Sequence, residues 1–360
     1  MNLMKKESIV ITIFLILVIG FSVNHLRNHA QLLIDAPKID LVLVLGVYFF
    51  LHLVVAQGMA LMVSYGSLHF LGFSVPVLVG GFTVSAVMCR LAYLVAEMGG
   101  LVLEPWRSAG AWVENSEVNV GLVNGYLASR PLLGIGLVLM SLCIAFLFAG
   151  LFTWASSRPA LGLAPVYLAV LSYSMPTFFE FIALINVALG GGHMGVFVPD
   201  VFGFIDVGKG VVFLVVSGLL AFIVAMGLMR LRGRLDSLTG VGFKGSVLFL
   251  GGGIMGLAGC LHAFYYMFVV QANYSQSFWG WWSLLMLVLA GFDWGWRLLA
   301  GVVGVQLLRG LVIVFRAEIA RYLFFPVVYF ESLLLGLFLI LGLVVYQKMA
   351  GRLSGDGGSA

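Results

Sequence analysis

Apolar runs of membrane-crossing length follow one another along this chain with almost nothing charged inside them. Hydrophobic residues make up 62% of the 360 positions and charged residues 9%, against about 25% charged in a soluble domain. So few charges cannot cover a water-facing surface of this size. The bilayer is therefore the solvent, and the polar residues retained inside it become the main guides to function. About 20 apolar residues cross the hydrocarbon core as a helix. Segments of that kind lie near 8–23, 40–62, 70–95, 132–154, 163–188, 209–229, 244–271, 278–292, 298–315 and 324–346. The eighth is short and reads as a half-span or a re-entrant piece, with Trp279, Trp281 and Trp282 as an interface anchor. No alternating apolar–polar pattern of a membrane barrel occurs, so the fold class is all-α: a polytopic transmembrane helical bundle of about ten spans.

Nothing between the spans is long enough for a second domain. Residues 1–353 read as one transmembrane domain, the Gly/Ser-rich tail 354–360 as disordered. The longest connection, 96–131, carries Glu97, Glu104, Glu114 and Glu117 against Arg107 and Arg130, enough for a small extramembrane segment. Lys5 and Lys6 precede the first span, Arg230, Arg232, Arg234 and Lys244 flank one connection, and Lys348 and Arg352 follow the last span. With ten spans these fall on one side, which the positive-inside rule makes cytoplasmic, together with both termini. Segment 8–23 has an alternative reading as a cleaved signal sequence, since a lysine pair precedes its apolar core. Cys89, Cys143 and Cys260 all fall in apolar segments and read as small buried residues.

The sequence excludes several chemistries. It has no phosphate-binding loop and no dinucleotide fingerprint, no Cys/His cluster at metal-ligand spacing, and no basic stripe for nucleic acid. No cofactor is expected. The polar residues within spans are more telling. Glu180, close to the middle of its span, costs about 2.5–3.5 kcal/mol at the centre of a bilayer on insertion scales, so it should face the bundle interior, a partner or a watery path. His52, His69 and His262 are candidates on the same ground, though packing histidines are the commoner case. Pro76 and Pro176 are expected to interrupt the third and fifth spans, and interrupted spans often line carrier sites. The run Gly190-Gly191-Gly192-His193 cannot continue a stable helix and allows close backbone approach. Clustered glycines at 80–81 and 251–259 mark tight helix contacts or a mobile interface.

Four regions together resemble one family, the membrane permeases of branched-chain amino acid ABC transporters, and within it the second, longer subunit of the pair. They are Ser64 to Gly72 with Val79-Gly80-Gly81-Phe82; Gly190 to Gly195 with Val198-Pro199; Gly251 to Leu261, reading GGGIMGLAGCL; and Ser283 to Val305. The likeness runs over residues 40–350. It implies a non-catalytic permease subunit of an importer in the cell membrane. It would pair with a second permease subunit, two cytoplasmic ATPase subunits and an extracytoplasmic solute-binding protein. Solute would move by alternating access past Tyr65, Ser67, His69, Gly72, Glu180, Asn186, Gly191, Gly192 and His193. Coupling to the ATPase would run through Arg230, Arg232, Arg234, Asp236 and Lys244. One departure stands out. The family's long cytoplasmic loop with its acidic coupling helix is reduced here to Arg230–Lys244. A permease-derived scaffold or assembly subunit is the competing reading, and an intramembrane enzyme or redox subunit using His52, His69, His193 or His262 a third.

Overall fold

Among the described residues, six helices are long and apolar enough to cross a membrane: Val42–Tyr65, Ser74–Met98, Pro131–Ser157, Lys209–Arg232, Lys244–Tyr266 and Trp296–Ile313. The protein is thus a multi-pass, all-α membrane bundle. The structure is a computed structural model that describes residues 38–66, 74–157, 165–205, 208–235, 241–292, 295–323, 330, 332–342 and 344. The expected first span at 8–23 and the tail 354–360 lie outside them, as does part of 324–346, where an apolar helix Ser332–Gly342 is described.

In chain order, α1 is Lys38–Gly66. Helix α2, Ser74–Thr83, runs through one π-helical turn, Val84–Cys89, into α3, Arg90–Met98. Two short helices follow, α4 Ala109–Glu114 and α5 Ser116–Ala128, then α6 Pro131–Ser157. Helix α7 is Pro165–Ile185 and α8 is the single turn Val187–Gly190. Helices α9, Lys209–Leu235, and α10, Val241–Tyr266, come next. A 3₁₀ turn Gln271–Tyr274 and a π turn Gln276–Trp281 lead into α11, Trp282–Leu289, followed by α12, Trp296–Val314, and α13, Arg316–Tyr322. Among the described residues the strands are two residues each, β1 Val196–Phe197 antiparallel to β2 Phe268–Val269.

By compactness the chain divides into Phe50–Trp281 and a second unit drawn from Met1–Phe49 and Trp282–Ala360. The core of the larger unit is α2, α6 and α10, and glycine makes it. A Cβ on Gly80 would strike the Gly256 backbone, one on Gly259 the Val77 carbonyl, and one on Gly256 the Ala149 side chain and the Ala145 carbonyl. Gly252 faces Thr153, and Gly58 of α1 faces the Gly251 carbonyl. In lipid no hydrophobic effect drives helices together, so association relies on such close van der Waals approach. The glycine cluster of α10 is therefore a packing surface. At the end of α3, the 99–130 connection folds back as α4 and α5. Glu97 accepts from Trp106 Nε1 at 2.8 Å and pairs with Arg107 at 3.1 Å. Asn119 meets both backbone groups of Glu104, and Tyr93, Trp106 and Trp112 form an aromatic cluster beneath. In the smaller unit Gly301 lets α12 approach the Met286 carbonyl of α11, and the Arg309 guanidinium lies 5.1 Å from the Trp282 ring.

Four sequence expectations change. Helix α7 runs unbroken through Pro176, from Pro165 to Ile185. Pro76 does not interrupt its span; it sits in the first turn of α2, where its missing N–H costs no intrahelical bond. The irregularity of that span is the π turn instead. Arg230 and Arg232 are not in a loop but extend the exposed end of α9, because arginine is a good helix former and no breaker intervenes. Cys143 is exposed on α6, whereas Cys89 and Cys260 are buried as expected.

Candidate functional site

Helix α7 carries Pro176 in its interior and ends at Ile185. Asn186 then caps the single turn α8, its Oδ1 accepting from the Leu189 N–H at 3.2 Å. Three glycines beyond it adopt left-handed backbone, Gly191 at φ 78°, Gly192 at φ 59° and Gly195 at φ 75°. That region penalises any residue with a Cβ by about 1–2 kcal/mol. The loop consequently folds onto itself: Gly191 abuts the Gly195 backbone, and Gly192 the Leu184 carbonyl.

The loop is held from outside as well. Gly190 lies against the Phe82 ring and Gly195 against Phe268. Ser85, in the π turn, donates to the Leu189 carbonyl at 2.8 Å, and Arg90 donates to the Ala188 carbonyl at 2.6 Å. The Arg90 guanidinium also lies 5.0 Å from the Trp112 ring, tying the loop to the folded 99–130 segment. A π turn widens the helix locally and is common where a helix serves a site. Here it turns Ser85 toward the glycine loop.

Glu180 lies one and a half turns before the end of α7. It is half-buried, and its carboxyl accepts from the Gln276 backbone N–H at 2.7 Å and from Gln271 Nε2 at 3.3 Å. Gln276 Oε1 in turn accepts from the Ser74 N–H at 3.2 Å. The segment carrying both glutamines also packs against two buried histidines. His52 stacks on Trp279 at 4.8 Å and donates from Nε2 to the Phe278 carbonyl at 3.3 Å. His262 meets Tyr274 and Trp279 edge-on. Both imidazoles pack against aromatic rings of this segment, and among the described residues no group of three or more His, Cys, Asp or Glu side chains is placed to hold a metal ion.

The expected pathway residues are brought together in part. Asn186, Gly191 and Gly192 form one loop, while Glu180 lies earlier on the helix that leads into it. His193 belongs to the loop but is exposed. Tyr65 is half-buried near the end of α1, and Ser67, His69 and Gly72 lie outside the described residues. Of the expected coupling residues, Arg230 and Arg232 are exposed and Lys244 half-buried; Asp236 and the Arg234 side chain lie outside the described residues. Sequence reasoning missed Gln271, Gln276, Ser85 and Arg90. Their one signal is being hydrogen-bonding side chains in otherwise apolar stretches.

No family model matches the chain, and no solved structure matches it. A curated relative does: the probable branched-chain amino acid transport permease protein LivM of Methanocaldococcus jannaschii. It is 22% identical over 334 residues, 87% of this chain and 93% of that protein.

Proposed function

From a permease likeness that spans nearly the whole chain, we propose that this protein is the membrane-spanning subunit of an ABC-type importer for branched-chain amino acids or a related small solute. The observation that carries the reading is that likeness over 87% of the chain. Two motifs of the resemblance also coincide with distinctive parts of the fold: Gly251–Gly259 with the α10 packing face, Gly190–Gly195 with the constrained loop after α7. A transport subunit of this kind has no catalytic residues of its own.

In this reading the chain sits in the cell membrane with ten spans and both termini cytoplasmic. Solute passes between it and a second permease subunit, near Tyr65, Ser67, His69, Gly72, Glu180 and the Asn186–His193 loop. Groups of helices rock about that level to give alternating access. An extracytoplasmic binding protein delivers the solute, and separate ATPase subunits supply the energy through the cytoplasmic ends of α9 and α10. Arg230 and Arg232, exposed there, supply charge for docking.

One observation favours a second reading, a scaffold without transport. Helix α9 ends at Leu235 and α10 starts at Val241, which leaves little chain for a coupling helix. Affinity purification of the tagged chain from its own membranes separates the two. An ATPase with a phosphate loop in the purified complex supports transport; a complex without one supports the scaffold.

A further inference from the structure

We propose that Glu180 is a positioning residue rather than a ligand for the solute: its carboxyl holds the Gln271–Trp281 segment and, through Gln276, the start of α2. Both carboxyl oxygens are engaged by the protein, Oε1 by the Gln276 N–H at 2.7 Å and Oε2 by Gln271 Nε2 at 3.3 Å. The Gln276 side chain passes the connection on, accepting from the N–H of Ser74, the first residue of α2. That N–H is one of the donors a helix start leaves without an intrahelical partner, so Gln276 acts as its cap.

A second feature shows that this chain of bonds is built. Gly280 lies directly over the Gln276 amide, and a Cβ there would occupy the space the amide uses. Tyr274, in the same segment, packs against Gly81 and Phe82 of α2. The segment is therefore a wedge between α7 and α2.

Helix α7 thus grips α2 at two places. The first is the Glu180–Gln276–Ser74 chain at the start of α2. The second is the glycine loop after α7, which meets Phe82 and Ser85. Pro176, four residues before Glu180, removes a backbone bond and makes α7 easiest to bend just there. Bending at Pro176 shifts both grips together, so movement of α7 reaches α2 without the solute touching the carboxyl.

The proposal rests on the permease reading for its consequence in transport, and the test separates the two. Hydrogen exchange is followed by mass spectrometry on the purified full chain in lipid nanodiscs. Glu180→Ala is expected to raise exchange at Gln276 and Ser74 about tenfold, the change for one lost hydrogen bond of ordinary strength. Glu180→Gln keeps an acceptor oxygen and is expected to stay within about twofold of wild type. Gly280→Ala displaces the Gln276 amide and is expected to raise exchange at Ser74 alone; it carries the test if Glu180→Ala does not fold. Unchanged exchange at Ser74 in Gly280→Ala overturns the proposal, as does unchanged exchange at Gln276 in Glu180→Ala. In leucine uptake, Glu180→Ala is expected to lower the maximal rate with little change in KM. A KM rise of about tenfold with wild-type exchange makes Glu180 a solute ligand and overturns the proposal too. Absence of uptake by the wild-type complex contradicts the permease reading and leaves the exchange results to decide the wedge.

Discussion

The glycines at 251–259 keep helical backbone and press α10 against α1, α2 and α6, whereas Gly191, Gly192 and Gly195 leave the helix and take left-handed backbone. On the helix, glycine is needed for what lies outside it, because a neighbour's carbonyl or side chain fills the space a Cβ would take. In the loop it is needed for the backbone conformation itself, and the loop's outer contacts follow from that. The first region is a packing face whose contacts include backbone carbonyls and the side chains of Phe146, Ala149 and Thr153. The second combines three left-handed glycines with two carbonyls, of Ala188 and Leu189, held by Arg90 and by Ser85 of the π turn. Two stretches that look alike in composition therefore use glycine differently.

Substitution at the two kinds of glycine should separate those uses. The largest effect is expected from Gly259→Leu, which drives a branched side chain into the Val77 backbone of α2. Overpacking of this kind costs about 1–3 kcal/mol or more. Monodisperse protein should be lost in detergent size-exclusion chromatography; normal recovery contradicts the packing role. Next is Gly191→Ala, which meets both the left-handed penalty of about 1–2 kcal/mol and the Gly195 backbone. The chain should still insert and purify while uptake falls at least tenfold. Wild-type uptake would make the loop a mere connection.

Asn186→Ala removes the α8 cap, worth about 1 kcal/mol, and should lower uptake severalfold, with Asn186→Asp restoring most of it. If Ala and Asp behave alike, the cap does not matter to the loop. The smallest structural effect belongs to Arg230→Ser with Arg232→Ser. Both side chains are exposed, so stability should stay within about 0.5 kcal/mol in thermal unfolding. Recovery of an ATPase with the chain should nevertheless drop; unaltered recovery counts against this end of α9 as the docking surface.

Much of the bundle was legible because a run of apolar residues long enough to cross lipid is a length signal, independent of partners. Six of the anticipated spans correspond to the long apolar helices, and the short eighth proved to be a π turn followed by α11. What hydropathy does not carry is local winding. A π turn has the composition of an α-helix, so Val84–Cys89 left no trace in the pattern, while Pro76, a conspicuous breaker, sits harmlessly in a first turn. The candidate site was legible where burial is expensive or backbone unusual, at Glu180 and Gly190–Gly192. Its partners were not. Gln271 and Gln276 are neutral, and only the folded chain brings them to a carboxyl on α7. Arg90 is a single charge within an apolar span, and only the folded chain brings it to the Ala188 carbonyl.

The most direct test is ATP-driven uptake by the reconstituted complex. The tagged chain is purified with whatever accompanies it, placed in proteoliposomes and supplied with labelled leucine, isoleucine or valine together with the proposed extracytoplasmic binding protein. Accumulation that requires ATP and fails without the co-purifying ATPase is the predicted result. A stable complex that contains no nucleotide-hydrolysing subunit and moves none of these solutes would contradict the account.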